Sequence, residues 1–274
     1  MSGQDRLKVI VLTHGGSELF LERVLAIPSV DILAVYVENP RPLRRSLVQR
    51  LKRSYDYDGA LATASKLFGL ISGKQRAGGS DLREEREERT ELIRFCGEKG
   101  VRTVVVDDFH APESIKLLTD ESADLGVLFG TNIIKKSVFL IPRLGSINIH
   151  QGLAPYYRGG PTVFWELFND EKEVGITVHF VAPKVDTGEI ILQTTVPMEY
   201  DHERYGLDYE SFIDDFRASM REPAADLTAK AVELISLGKE ERRIQDISLG
   251  TRYRLPLKAM KDELRNRIAK RASR

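Results

Sequence analysis

Residues 125–150 read LGVLFGTNIIKKSVFLIPRLGSINIH, framed by two short apolar runs, Leu125 to Phe129 and Ser146 to Ile149. Runs of this length without a polar face fit strands covered on both sides. Working outward, β-branched apolar runs recur at Leu7 to Leu12, Ile32 to Val37, Val101 to Val106, Gly175 to Val181 and Ile190 to Val196. Segments with helical spacing lie between the earlier runs, with Phe20, Val24 and Ile27 in one and Ile115 and Leu118 in another. Strands alternating with helices predict an α/β fold with a mostly parallel sheet and helices on both faces. Such folds bind ligands beyond the carboxyl ends of their strands, which is where Asn148 and His150 fall.

The composition bounds the function. Forty-one basic and forty-one acidic residues cancel, so the field that draws basic proteins to nucleic acid or anionic lipid is missing, and no nucleic-acid partner is expected. The single Cys96 cannot form an internal disulfide, reads as a buried structural thiol, and offers no metal cluster; no metal is expected. No run approaches the roughly 18 apolar residues of a membrane span, and MSGQDRLKVIVL leads into a strand rather than a signal peptide, so a cytoplasmic protein is expected.

Two stretches depart from the strand–helix rhythm. Residues 40–95 read as an insertion: six Lys or Arg between Arg41 and Arg53, with Leu43, Leu47 and Leu51 at helical spacing, then the apolar LATASKLFGLI, a loop at GKQRAGGS and the acidic DLREEREERTEL. From about Asp208 the chain reads as two helices, one from Pro223 to about Leu237 closed by Gly238, and a basic one from Leu257 onward.

Residues 147–169 carry the chemistry. Positions two apart on a strand face the same way, so Asn148 and His150 present an amide and an imidazole side by side. Acyl transfer to an amine asks for that pair. An amide N–H stabilises the charge gathering on the carbonyl oxygen by about 2.7–4 kcal/mol, and an imidazole moves the protons of the attacking and leaving nitrogens. In FVAPKVDTGEIIL, Asp186 follows the run Gly175 to Val181. If that run lies beside the strand carrying His150, the carboxylate can orient the ring, stabilise its protonated form and hold a water for proton relay. The alternative for Asp186 is a turn residue that needs Gly188. Asp-Thr-Gly also occurs in aspartic proteases, but those need two such carboxylates in an all-β setting, and one copy stands here.

The ordered set Asn148-x-His150, Pro155-x-Tyr157-Arg158-Gly159, Gly175-x-Thr177-x-His179 and Asp186-x-Gly188 resembles the formyltransferases that use 10-formyltetrahydrofolate, most strongly over residues 124–198. The resemblance implies a Rossmann-like catalytic domain over residues 1–205, and the helical pattern beyond it reads as a C-terminal extension over 206–274. It implies Asn148, His150 and Asp186 as the catalytic triad of formyl transfer to an amine, and 10-formyltetrahydrofolate as co-substrate. It also implies a pterin-binding stretch, here Phe129, Gly130, Thr131, Asn132, Ile133 and Ile134, with Ala182, Lys184 and Val185 closing the other side. Main-chain groups there read the fixed donors and acceptors of a pterin edge.

The acceptor is a small-molecule amine on this reading: an amino sugar, an amino-acid derivative or a glycinamide ribonucleotide-like compound. The resemblance puts Gly15, Gly16 and Ser17, after the first strand, and Gly152, Tyr157, Arg158 and Gly159 on the acceptor side. Glu18, where glycinamide ribonucleotide enzymes carry Asn, weighs against a phosphate at the first loop. Arg158 either holds an anionic group or braces its loop. Formyltetrahydrofolate hydrolysis and folate binding without catalysis are the alternatives, and a homodimer is permitted.

Overall fold

The computed structural model of the protein describes residues 6–39, 55–57, 59–60 and 79–272. The helix expected on Leu43, Leu47 and Leu51, the apolar part over 61–71 and the loop over 73–78 lie outside the described residues. In chain order the strands are β1 (Leu7–Thr13), β2 (Val30–Glu38), β3 (Thr103–Val106), β4 (Leu125–Phe129), β5 (Ser146–His150), β6 (Tyr157–Gly159), β7 (Glu173–Phe180), β8 (Ile190–Pro197) and β9 (Thr251–Tyr253). The helices are α1 (Glu18–Leu25), α2 (Gly79–Glu98), α3 (Pro112–Asp120), α4 (Lys136–Phe139), α5 (Phe164–Phe168), α6 (His202–Tyr205), α7 (Tyr209–Ser219), α8 (Arg221–Ser236) and α9 (Lys258–Ala272).

Seven strands form one sheet in the order β3-β2-β1-β4-β5-β7-β8. The β3–β2, β2–β1, β1–β4 and β4–β5 pairs are parallel, whereas β7 is antiparallel to both β5 and β8. All seven expected runs are strands of this sheet. Its faces follow from side-chain alternation along β1. Val9 and Val11 enter a core with Phe20 and Leu21 of α1, Leu92 and Cys96 of α2, and Val232 of α8. Ile10 and Leu12 face the other way, toward Leu118 of α3 and Val138 of α4. Both faces are covered, as the unbroken apolar runs require.

The chain reverses its winding at β1, which has β2 on one side and β4 on the other, so the carboxyl ends of β1, β4 and β5 open onto a common crevice. The C-terminal segment is helical, with more in it than two helices. Helix α7 is capped by Asp208, whose side chain accepts from Ser211 N at 3.1 Å, and it buries Tyr209, Phe212 and Ile213 in a third core with α5, β7 and α9. Helix α8 lies against α1, where Arg23 and Asp226 pair at 2.8 Å. Strand β9 pairs in parallel with β6, matching Arg158 to Arg252 and Gly159 to Tyr253, in a two-stranded sheet over the crevice side.

Candidate active site

Strand β5 ends on the two residues of interest, and β7 sets Asn148 opposite His179 and His150 opposite Thr177. Because β7 is antiparallel to β5, it leaves the sheet beside Ser146, whose carbonyl accepts from Val181 N at 2.7 Å. The loop after it turns back, and Asp186 adopts φ 51°, a left-handed conformation uncommon for a residue with a side chain. That turn brings its carboxylate to His150: Oδ2 lies 3.5 Å from Nδ1 and accepts from Gly159 N at 2.8 Å. The Oδ1 atom lies 3.6 Å from His179 Nε2, and Asn148 Nδ2 is 3.5 Å from the same nitrogen.

The hydrogen bonds fix the state of His150. Its Nε2–H donates to the Tyr157 carbonyl at 2.8 Å; a carbonyl only accepts, so Nε2 carries the proton and Nδ1 is left as the basic nitrogen on the Asp186 side. Burial holds the pKa of this ring below its ordinary value, while the Asp186 charge pulls the other way. The ring is therefore neutral at pH 7. Burial also works against the Asp186 carboxylate, but contact with His179, the charge His150 carries once protonated and the Gly159 N–H outweigh it, and its pKa falls to about 2. A neutral base faces a permanent anion that stabilises it once it has taken a proton.

Two glycines make this approach possible. A side chain at Gly152 would occupy the space of the His150 ring, and Gly159, at φ 79°, sits against the Tyr253 carbonyl while donating to Asp186. The buried Thr177 hydroxyl donates to the Gly152 carbonyl at 2.7 Å and accepts from Ala154 N at 3.2 Å, pinning the turn that follows His150.

A cavity of about 670 Å³ opens over these groups, within the usual ligand-pocket range. Asn148, His150, Asp186 and Gly159 line it, as do Gly130, Thr131, Asn132, Ile133, Ile134, Ala182 and Val185. Residues 130–134 belong to no helix or strand, so their main-chain groups are available to a ligand. Phe129 and Lys184 are off the wall: alternation along β4 turns Leu128 to the cavity and stacks the Phe129 ring on Phe20 at 5.4 Å, and Pro183 stands where Lys184 was expected. Gly15, Gly16 and Ser17 also lie outside it, the two glycines against Glu88 and Arg89 of α2.

Arg158 is buried, with its guanidinium donating to the carbonyls of Pro155, Ile247 and Gly250, each at 3.0 Å; it braces the loop. Tyr157 stacks on Tyr253 at 5.2 Å and donates to Glu171 at 2.7 Å. Behind His150 a cavity of about 10 Å³, room for about one water, reaches Trp165 and Glu166. Burial pushes the Glu166 carboxyl up to about 7, and its Oε2 has no hydrogen-bond partner among the described residues. The sequence reading missed the wall that Arg252, Tyr253, Arg254 and Leu255 supply from beside β6. It also assigned no role to His179, although that residue stood in one of its motifs.

Comparison with known proteins agrees with this fold. The family model described as formyl transferase matches residues 51–208. The methionyl-tRNA formyltransferase of Azobacteroides pseudotrichonymphae genomovar. CFP2 is 30% identical over 138 residues, covering 48% of this chain and 42% of the relative. The chain spans about half the length of the curated relatives it matches. In fold it is similar to the phosphoribosylglycinamide formyltransferase of Bacillus halodurans, with a TM-score of 0.55 at 14% identity, covering 83% of this chain and 94% of that one. It is also similar to a sugar N-formyltransferase from Shewanella sp. FDAARGOS_354, with a TM-score of 0.54 at 16% identity, covering 96% and 87%. With the family model matching more than half of its 274 residues, the chain belongs to the formyl transferase family.

Proposed function

We propose that the protein transfers the formyl group of 10-formyltetrahydrofolate to the amine of a small-molecule acceptor. The observation that carries this reading is the meeting of Asn148, His150 and Asp186 on one cavity wall, with a neutral imidazole nitrogen 3.5 Å from an ionised carboxylate. The donor supplies an activated formyl carbon. The cavity fits it in size and lining: irregular main chain at Gly130 to Ile134 suits the edge of a pterin, and Leu128, Val181 and Val185 suit its faces.

Each residue then has one task. The Asn148 amide donates to the formyl oxygen as negative charge gathers there. His150 Nδ1 takes the proton of the attacking amine, and the imidazolium is stabilised by Asp186. The same proton is passed to the leaving nitrogen, directly or through a water held by Asp186. His179 positions Asn148 and Asp186 between two contacts, its Nδ1–H donating to the Phe180 carbonyl at 2.7 Å. Among the described residues no helix is long and apolar enough to cross a membrane; a cytoplasmic setting goes with the buried free thiol of Cys96.

The test is turnover. Purified protein is incubated with 10-formyltetrahydrofolate and a panel of amines, following tetrahydrofolate by absorbance and formylated product by mass spectrometry. Formyl-amine formed in step with tetrahydrofolate is the expected result. Formate in place of formyl-amine would make the protein a hydrolase, and an intact donor with every amine would end the enzyme reading.

A further inference from the structure

The two places where an anion could meet the crevice carry opposite charge. At the first loop, Glu18 follows Ser17, and Glu88 Oε2 lies 3.6 Å from the point where a Cβ on Gly16 would stand. Burial, and the nearby Glu88 and Glu91, raise the Glu18 carboxyl pKa. Carboxylates at this spacing repel a phosphate, and of the cations beside them Arg221 is engaged with Glu88 at 2.9 Å and Arg89 with Asn39.

At the other side of the crevice stands β9. Tyr253 turns inward, its ring stacked on Trp165 at 4.9 Å and on Tyr157 at 5.2 Å, and the Arg254 carbonyl accepts from Trp165 Nε1 at 2.9 Å. Arg252 of β9 and Arg254, the residue just after it, are exposed, and both line the catalytic cavity with His150 and Gly159. Among the described residues neither guanidinium has a side-chain hydrogen bond or an ion pair, whereas Arg158, matched to Arg252 across the two strands, has donors engaged by three carbonyls. The segment anchored by Tyr253 thus holds, among the described residues, two unpaired planar cations on the wall of a pocket in a chain of zero net charge. Guanidinium groups match carboxylate and phosphate oxygens in pairs.

We propose that Arg252 and Arg254 form an anion subsite for the acceptor, so that the amine formylated here belongs to a molecule bearing a phosphate or carboxylate group, held at β9 and not at the first loop. This rests on the formyl transfer reading above. The anion has a second conceivable source, the glutamyl carboxylates of the folate donor, and the experiment separates the two.

Wild type and Arg252→Gln/Arg254→Gln are compared on glucosamine 6-phosphate against glucosamine, and on O-phosphoethanolamine against ethanolamine, with KM measured for amine and donor separately. Binding of inorganic pyrophosphate is followed in parallel by calorimetry, which needs no turnover. The expected result is a preference of at least tenfold in kcat/KM for the phosphorylated amine of a pair. In the double variant that preference is lost, the amine KM rises at least tenfold and the donor KM stays within twofold. Arg252→Lys/Arg254→Lys recovers part of the preference, and Gln variants with unchanged melting temperature exclude misfolding. Equal rates on charged and neutral amines, or a donor KM that rises alone, would overturn the proposal, the latter assigning the cations to the folate tail. If no amine turns over while pyrophosphate binds to wild type and not to the double variant, the subsite stands and formyl transfer to these amines falls.

Discussion

The floor and the rim of the cavity are built on different principles. On the floor, β5 and β7 hold His150, His179 and Thr177 in burial, every one of them hydrogen-bonded, so a change there disturbs groups that cannot turn to water. On the rim, Arg252 and Arg254 are exposed charges on and just after a three-residue strand, anchored through the ring of Tyr253 and the Arg254 carbonyl. The proposed chemistry thus falls where exchange is costly, and the proposed recognition where side chains can be replaced without disturbing the fold. Relatives named for transfer RNA, ribonucleotide and sugar acceptors share the fold with this chain.

The comparison breaks if a floor residue proves dispensable. Asn148→Ala is expected to lower kcat by about 10²–10³-fold with little change in donor KM, because it removes a donor used as charge develops; steady-state kinetics on any accepted amine decides it. Next comes Asp186→Asn, with turnover falling about a hundredfold and folate affinity changed modestly. The same variant makes a prediction about pH. Burial already keeps His150 below the ordinary histidine value of 6.5, and Asp186 is what raises it. Loss of that charge moves the acid limb of the pH–rate profile to still lower pH, and a limb that stays in place would remove Asp186 from contact with the base.

Glu166, between floor and rim, gives a stability effect of opposite character. Its folded pKa of about 7 stands above the ordinary 4.5, so its contribution is fully present below pH 4.5 and is lost as pH rises through 7. Glu166→Gln does not titrate, and it is expected to gain on wild type between those values, by on the order of 2 kcal/mol at pH 8, measured by urea unfolding at pH 5 and pH 8. The smallest effect is expected on the rim. Tyr253→Phe removes only the hydroxyl that accepts from Asn169 at 3.0 Å, costing about 0.5–1 kcal/mol, with kcat unchanged and a small rise in acceptor KM.

The fold was legible because the central strands β1 and β4 are buried on both faces and almost wholly apolar, a local signal. Helix α7 was legible too, through Asp208 as cap and Phe212, Ile213 and Phe216 at helical spacing, though the reading passed over it. Strand β9 was not: three residues, TRY, two of them exposed and one of those charged, show no periodicity, and their partner lies far away in the chain. The candidate catalytic residues were legible from the period of two on β5 and from the motifs around it. The identity of the free cations was not.

By itself the sequence determined the α/β class, the run of strands, and which amide, imidazole and carboxylate could serve one reaction, since residue type and spacing along a single element carry that information. Tertiary structure decided that β7 runs antiparallel to β5 and that a left-handed turn returns Asp186 to His150. It also decided that Arg158 is engaged by carbonyls while Arg252 and Arg254 face the cavity. These are facts about pairs of segments remote in the chain; register and burial settle them through packing, and no local pattern encodes which of several arginines keeps its donors unengaged.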